Sequence, residues 1–311
     1  MFRNNNDGNV ATYIPELGKA NPAHFGICVM SVDGDYFEAG DCSVEFTIQS
    51  ISKPLVYAMA LTQHGQEKVC SRIGVEPSGD AFNSIVLDQK TNRPFNAMVN
   101  AGAIAAASLI QGATLEERSE AQLAVFSAAA GRRLRFDESV YRSETETGHR
   151  NRAIAWLMMN FGMIEGNVDE ILALYFQQCS ILVTARDLAV MGATLANMGT
   201  NPLTEENVFE MGCIQDVLSV MFTCGMYDYS GEWAFRVGVP AKSGVAGGIL
   251  GVVNRQLGIG AYSPKLDSRG NSVRGVKACT YLSEELGLHA FNFMNHGSHF
   301  LKNMMDPDAV A

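Results

Sequence analysis

The chain has 311 residues, 47% of them hydrophobic and 18% charged, which is typical of a globular protein with material for a large core. Its formal net charge of −10 disfavours a nucleic acid as partner, since that ligand needs a basic surface. No apolar run reaches the roughly 18 residues of a membrane-spanning helix, and the N-terminus lacks the apolar region of a secretory signal. Seven cysteines without a CxxC pair predict reduced thiols and a cytoplasmic location.

The first predicted element is a β-hairpin within residues 25–41. A β-rich run from Ile27 to Val32 meets an Asp33-Gly34 turn, and a second run starts at Tyr36. This pattern predicts two antiparallel strands close to the beginning of the chain.

A buried helix of about three turns is predicted next, from the spacing of Leu55, Met59 and Leu61. Pro54 falls in its first turn, where proline is tolerated. Ser50 therefore stands at or near a helix N-terminus.

Helical patterns dominate residues 100–225. Asn100 is a good N-cap candidate for the first of these helices, and Thr184 with Asp187 has the spacing of a capping box. Glycines are placed to end three of the helices: Gly131, Gly199 and Gly225.

The pattern returns to β after residue 230, with short apolar runs in WAFRVGVPAK, GGILGVVN and LGIGAYSP, and a last helix is predicted at about 278–287. This order predicts an α/β (α+β) fold with an antiparallel sheet of about five strands built from both chain ends. We expect one unit over 1–311, with residues of about 10–95 and 226–311 around the sheet and about 96–225 helical. A site is expected between the two parts.

A Ser-x-x-Lys motif stands at the start of the helix that follows Ser50. Positions i and i+3 of a helix share a face, so the amine of Lys53 can reach the Ser50 hydroxyl and act as its base if burial lowers its pKa. The Ser50 N–H is also a free donor at the helix start, suited to an oxyanion. Ser52 is an alternative nucleophile, but its i+3 residue is Leu55. Taken alone, the motif favours a capping serine beside a surface lysine.

A Lys-Ser-Gly run on a predicted strand, residues 242–244, favours the catalytic interpretation. Lys-Thr-Gly on a strand accompanies Ser-x-x-Lys in penicillin-recognising enzymes, and Ser243 would replace the threonine. The glycines around Val245 allow close approach to a ligand, so the Val245 N–H can be a second oxyanion donor. Tyr227 or Tyr229, just after a predicted helix end, can share protons with the Ser–Lys pair.

These motifs resemble those of serine-dependent, β-lactamase-like glutaminases, found in bacteria and as the catalytic domain of the animal kidney- and liver-type enzymes. The resemblance extends from about residue 8 to about residue 290 and is carried, in family order, by YIPEL, QSISKPL, MVNAGAI, SETETGHRNRAIAW, YFQQCS, CGMYDYSG and AKSGVAGGILGVV. It implies a β-lactamase/penicillin-binding-protein-like serine hydrolase fold.

The resemblance also implies the roles of individual residues. The catalytic set would be Ser50, Lys53, Tyr227 and Val245. The substrate would be held by Tyr13, Gln49, Ser50, Asn100, Glu144, Asn151, Tyr175, Tyr227 and Val245. Glu144 would face the α-ammonium of the substrate, although Glu146 is equally eligible on the bare sequence.

The implied reaction is hydrolysis of L-glutamine to L-glutamate and ammonia, without a cofactor or metal, in a homodimer or homotetramer. The alternatives are another Ser–Lys acyl hydrolase, such as a β-lactamase, and a non-catalytic glutamine-binding protein. No metal site is expected at His296 and His299, which lack companion ligands. Relatives usually carry a longer N-terminal helical segment, and a different sequence at 76–86 means that their activation behaviour does not transfer.

Overall fold

The fold is described from a computed structural model, which covers residues 1–79 and 83–292. Its strands are β1 Asn9–Val10, β2 Gly26–Ser31, β3 Tyr36–Gly40, β4 Phe46–Thr47, β5 Leu182–Val183, β6 Ala241–Ser243, β7 Gly248–Val253, β8 Leu257–Tyr262 and β9 Lys265–Leu266. Its α-helices are α1 Ser52–Cys70, α2 Asn100–Ser108, α3 Leu115–Ala130, α4 Glu138–Thr147, α5 His149–Asn160, α6 Val168–Cys179, α7 Ala185–Ala196, α8 Met211–Cys224, α9 Ser230–Arg236 and α10 Val273–Leu286.

The main sheet has five strands in the order β3-β2-β8-β7-β6, and every neighbouring pair is antiparallel. The predicted hairpin of β2 and β3 is confirmed, and Gly26 pairs across to Tyr262 of β8. The sheet is therefore built from both ends of the chain, as predicted. Two further sheets have two strands each, β1 with β9 and β4 with β5.

Glycines in β8 let helix α7 lie directly on one face of the sheet. A Cβ atom at Gly258 would stand 2.1 Å from the Ala193 nitrogen, and one at Gly260 would stand 1.9 Å from the Ala185 oxygen. Ile259, between them, points to the opposite face because side chains alternate along a strand. There it joins a second core cluster with residues of α9 and α10.

The helical middle of the chain shares one buried core with the sheet. This core contains Leu55 of α1, Ile104 of α2, Phe176 of α6 and Leu250 of β7. Two of the predicted capping features are confirmed: Thr184 and Asp187 form a capping box at α7, and Gly131 ends α3 in a left-handed conformation.

Several predicted boundaries are wrong. Residues 233–236 of the predicted WAFRVGVPAK strand belong to helix α9, whose Trp233 is buried and donates from Nε1 to the Val239 carbonyl at 2.7 Å. The last helix begins at Val273 instead of 278, because the Ser272 side chain caps it. Helix α1 extends beyond the predicted three turns to Cys70, with a break in the helical backbone at Gly65, whose φ is 76°. Helix α4 lies within the part predicted to be helical, but no separate pattern indicated it.

Candidate active site

Ser50 lies in a short 3₁₀ turn, Gln49–Ile51, immediately before α1, so its predicted position at a helix start is confirmed. Gln49 has a φ of 51°, which is uncommon for a residue other than glycine and is found where surrounding structure enforces it. Only six non-glycine residues of the described chain have a positive φ, and Tyr227 is another of them. Backbone strain is thus present on two sides of the candidate nucleophile.

Lys53 is completely buried at the start of α1. Its Nζ atom donates to the Met98 carbonyl at 3.2 Å and to Asn100 Oδ1 at 2.7 Å. Burial lowers the pKa of Lys53 to about 8, an effect that the nearby Cys179 thiol opposes only in part. A neutral amine is therefore accessible near neutral pH, which is the condition for a lysine base.

Asn100 is not the N-cap that its sequence context predicts. Helix α2 is capped by the backbone of Val99, and Asn100 is its first helical residue. The Asn100 side chain instead accepts from Lys53 and donates from Nδ2 to Asn151 Oδ1 at 3.0 Å. It links the candidate base to the pocket wall.

Tyr227 lies beside the nucleophile, and Tyr229 does not. A hydrogen bond with Ser50 lowers the pKa of Tyr227, but burial raises it by more, so the phenol pKa stays well above its ordinary value. The Nζ atom of Lys242 stands 4.2 Å from the Tyr227 ring centroid, within cation–π range. Tyr229 packs in the second core cluster, with the Arg269 guanidinium 5.2 Å from its ring centroid.

Lys242 and Ser243 lie on β6 as predicted, and the chain turns between Gly244 and Gly247 to enter β7. A Cβ atom at Gly244 would approach the Ile48 carbonyl to 2.9 Å, so this turn packs directly on the segment that leads to the nucleophile. Among the described residues, neither the Val245 N–H nor the Ser50 N–H donates to a backbone carbonyl. Both donors are available for a ligand.

A pocket of about 360 Å³ collects the predicted substrate-contact residues, with the exception of Tyr227. Its lining is Tyr13, Gln49, Ser50, Asn83, Asn100, Glu144, Thr147, Gly148, Arg150, Asn151, Tyr175, Cys179 and Val245. The volume is at the small end of the range for small-molecule sites, about 300–1,000 Å³. A larger apolar groove of about 1300 Å³, beside α8 and the turn between β7 and β8, contains none of the predicted residues.

Glu144 is the only acid among the described residues that line this pocket. Burial raises its pKa, and hydrogen bonds from Tyr13 and Gln49 act in the opposite direction. The Tyr13 hydroxyl lies 2.7 Å from Glu144 Oε1 and 2.9 Å from Gln49 Oε1, with its hydroxyl end enclosed although the ring is half-exposed. Glu146 is exposed on the other side of α4, so the geometry separates the two candidates.

Tyr175 of α6 lies in the same wall, and burial holds its pKa well above its usual value, so the phenol is a neutral donor. Sequence reasoning did not identify Arg150, the one cationic side chain in the lining, or Cys179. Both lie one helical turn or less from predicted residues, since Arg150 precedes Asn151 and Cys179 follows Tyr175 by four positions. That proximity is the signal that could have found them.

Within residues 1–79 and 83–292, no group of three or more His, Cys, Asp or Glu side chains could hold a metal ion. His296 and His299 lie outside the described residues, as do positions 80–82 of the 76–86 segment. No helix of the described chain has the length and apolar character needed to cross a bilayer.

Known proteins resemble this chain over nearly its whole length. A family model for glutaminases matches residues 8–291. A glutaminase of Trichormus variabilis is 56% identical over 290 residues, which are 93% of this chain and 87% of the relative. A glutaminase of Microcystis aeruginosa is 58% identical over 285 residues, or 92% and 84% of the two chains.

Solved structures agree in fold. The probable glutaminase YbaS superimposes with a TM-score of 0.91 at 40% identity, covering 93% of this chain and 94% of its own. The structure of Mglu in its glutamate form superimposes with a TM-score of 0.90 at 46% identity, covering 94% and 67%. The predicted β-lactamase-like serine hydrolase fold is confirmed. The chain belongs to the glutaminase family.

Proposed function

We propose that this chain is an amidohydrolase (EC 3.5.1.2) that hydrolyses L-glutamine to L-glutamate and ammonia through a γ-glutamyl ester on Ser50. The observation that carries the proposal is the composition of the 360 Å³ pocket. It has one acid, Glu144, in its wall, and it has Ser50 and Val245 with their available N–H groups. The relatives that match most of the chain are named glutaminases, and the Mglu structure is described as a glutamate form.

Substrate binding would use a charged acceptor for the α-ammonium group and neutral donors for the α-carboxylate. The carboxylate of Glu144 accepts from the α-ammonium group, a charge-assisted hydrogen bond. Asn100, Asn151 and Tyr175 supply donors to the α-carboxylate. Neutral donors avoid the desolvation cost of a buried cation, and Arg150 stays exposed at the pocket wall.

The acylation step begins with transfer of the Ser50 hydroxyl proton. We assign Lys53 as the first base, because burial lowers its pKa to about 8 whereas burial raises that of Tyr227. Ser50 Oγ attacks the γ-carbonyl carbon, and the N–H groups of Ser50 and Val245 stabilise the oxyanion. Tyr227 passes a proton to the leaving nitrogen as the C–N bond breaks, and ammonia departs.

Deacylation repeats these steps with water as nucleophile. The Lys53–Tyr227 pair removes a proton from the water molecule, which attacks the ester carbonyl. Collapse of the second tetrahedral intermediate returns a proton to Ser50 Oγ and releases L-glutamate.

The test is ammonia release from L-glutamine by the wild-type chain and by Ser50→Ala. We expect the variant to lose at least about 1,000-fold in kcat, since removal of the nucleophile leaves only binding and oxyanion contributions. Near wild-type turnover by Ser50→Ala would contradict the mechanism. Parallel assays with L-asparagine and with nitrocefin discriminate the substrate class, and glutamine binding in calorimetry without ammonia release would identify a non-catalytic binding protein.

We propose further that 1–311 acts as one catalytic unit, in the cytoplasm, as a homodimer or homotetramer. One core cluster contains residues of both the helical middle and the sheet, which supports one unit. The seven free cysteines favour a reducing compartment. Exposed apolar side chains at Met211 and Phe291 favour self-association, which analytical ultracentrifugation would measure.

A further inference from the structure

A chain of buried polar side chains lies behind the nucleophile turn and takes no part in the proposed reaction. It consists of Ser52 on α1, Gln178 on α6 and Gln122 on α3, none of which has any exposed surface. Gln122 Nε2 donates to Gln178 Oε1 at 3.2 Å, and Gln178 Nε2 donates to Ser52 Oγ at 3.1 Å. The polar chain therefore connects two helices of the middle segment to the turn that carries Ser50.

The direction of these hydrogen bonds is fixed by chemistry. Ser52 Oγ donates to the Gln49 carbonyl at 2.7 Å, and a hydroxyl has one hydrogen to donate. The Gln178 amide must then approach Ser52 with its NH₂ group, which turns its oxygen towards Gln122. Ser52 also donates its backbone N–H to the Gln49 carbonyl, so this oxygen is held by two donors from the same residue.

The Gln49 carbonyl and the Ser50 N–H belong to one peptide unit. The described chain has no cis peptide bonds, so this unit is planar and trans, and its C=O and N–H groups point in opposite directions. Fixing the carbonyl fixes the direction of the Ser50 N–H, the candidate oxyanion donor. Gln49 needs such a restraint, because its φ of 51° is costly for a side chain larger than glycine.

We propose that Ser52, held in its rotamer by Gln178 and Gln122, is a positioning residue that aims the Ser50 N–H at the oxyanion of the tetrahedral intermediates. This inference rests on the proposed function of Ser50. Since the oxyanion develops only in the transition state, the restraint acts on kcat and leaves the contacts to the α-amino and α-carboxylate groups intact.

The test is steady-state hydrolysis of L-glutamine by Ser52→Ala. Loss of an oxyanion donor itself costs about 100- to 1,000-fold, so misdirecting one should lower kcat by roughly 10-fold, with KM within about twofold of wild type. Ser52→Thr keeps the hydroxyl and should stay within roughly threefold of wild-type kcat. Gln178→Met should give a smaller loss, of roughly threefold, and Gln122→Met a smaller one still, because each lies one step further from Gln49.

Ser283→Ala is the matched control. Ser283 is also a buried serine whose hydroxyl donates to a main-chain carbonyl, that of Val237 at 2.6 Å, and it does not line the pocket. The proposal predicts unchanged kcat for this variant. Equal losses in Ser52→Ala and Ser283→Ala, or a Ser52→Ala kcat within twofold of wild type, would overturn it.

Ser50→Ala is assayed alongside, so that failure of the proposed function can be distinguished from failure of the positioning role of Ser52. If Ser50→Ala retains activity, the proposed function fails; if only Ser52→Ala behaves like wild type, the positioning role alone fails. Should Ser52→Ala not fold, Gln178→Met decides, since it leaves Ser52 in place. An unchanged kcat in that variant then counts against the proposal.

Discussion

At the scale of single residues, the site depends on two buried ionisable groups, a lysine and a glutamate. Burial shifts their pKa values in opposite directions. Burial lowers the pKa of Lys53 to about 8 and raises that of Glu144 above its usual 4.5. Both shifts favour the neutral form, since each group lies in a poorly solvated place. Catalysis as proposed needs a neutral lysine and an ionised glutamate.

These requirements predict the pH dependence of kcat/KM for L-glutamine. Activity should fall as the pH drops through the raised pKa of Glu144, because a protonated carboxyl cannot pair with the α-ammonium group. It should rise further as the pH increases through about 8, where Lys53 loses its proton in the free enzyme. Rate measurements from acidic to alkaline buffers of constant ionic strength check this, and an optimum on the acidic side of neutrality would contradict the role of Lys53.

At the scale of elements, the contact between α7 and the sheet depends on Gly258. Because a Cβ there would come within 2.1 Å of the Ala193 nitrogen, Gly258→Ala must displace the helix. We expect a loss of about 1–3 kcal/mol in the free energy of unfolding, the range of overpacked cores. Gly251→Ala is the control, since the atom nearest to its Cβ would be Ile259 Cβ at 3.4 Å, an ordinary van der Waals contact. Urea denaturation distinguishes them, and equal stability of the two variants would disprove this account of the packing.

The elements that sequence periodicity predicted correctly are those whose apolar pattern matches their burial. Strands β7 and β8 are almost completely buried and read as apolar runs between glycines. Helix α4 was missed because only Val140 and Glu144 of its ten residues are buried, so it has no apolar stripe. Helix α9 was mistaken for a strand because short apolar runs are ambiguous, and the folded backbone shows the helix through hydrogen bonds such as Val237 N–H to the Trp233 carbonyl at 2.8 Å.

The residues of the candidate site also fall into two groups, those indicated by local sequence spacing and those that only the fold brings together. Ser50 and Lys53 follow from local spacing on one helix, and the Lys242–Gly244 strand adds a second local motif. Contacts such as Gln178 to Ser52, which are 126 positions apart, have no local signature. The choices of Glu144 over Glu146 and Tyr227 over Tyr229 needed either a family resemblance or the folded geometry.

At the scale of the whole molecule, Arg274 joins the last described helix, α10, to the N-terminal stretch. This buried guanidinium on α10 donates to the carbonyls of Asn5 at 2.8 Å and Pro22 at 3.1 Å, and its remaining bonds reach Ala23, His24 and Asn6. Among its contacts in the described chain there is no carboxylate, so main-chain oxygens compensate a buried charge. Tyr13 lies between the two anchored stretches, which makes Arg274 a remote support of the pocket wall.

Arg274→Met should therefore lower the free energy of unfolding by on the order of 3 kcal/mol, because a buried charged donor and its hydrogen bonds to several main-chain carbonyls are lost. It should also raise the KM for L-glutamine, since the loosened N-terminal stretch carries Tyr13 and its contact to Glu144. Arg135→Met is the control: Arg135 forms an exposed pair with Glu45, a type of pair that contributes about 1 kcal/mol at most. Urea unfolding and steady-state kinetics on both variants measure these effects. An Arg274→Met protein as stable as Arg135→Met would show that Arg274 does not hold the N-terminal stretch, which would leave that role to the pairing of β1 with β9 and to the burial of Ile14 and Leu17.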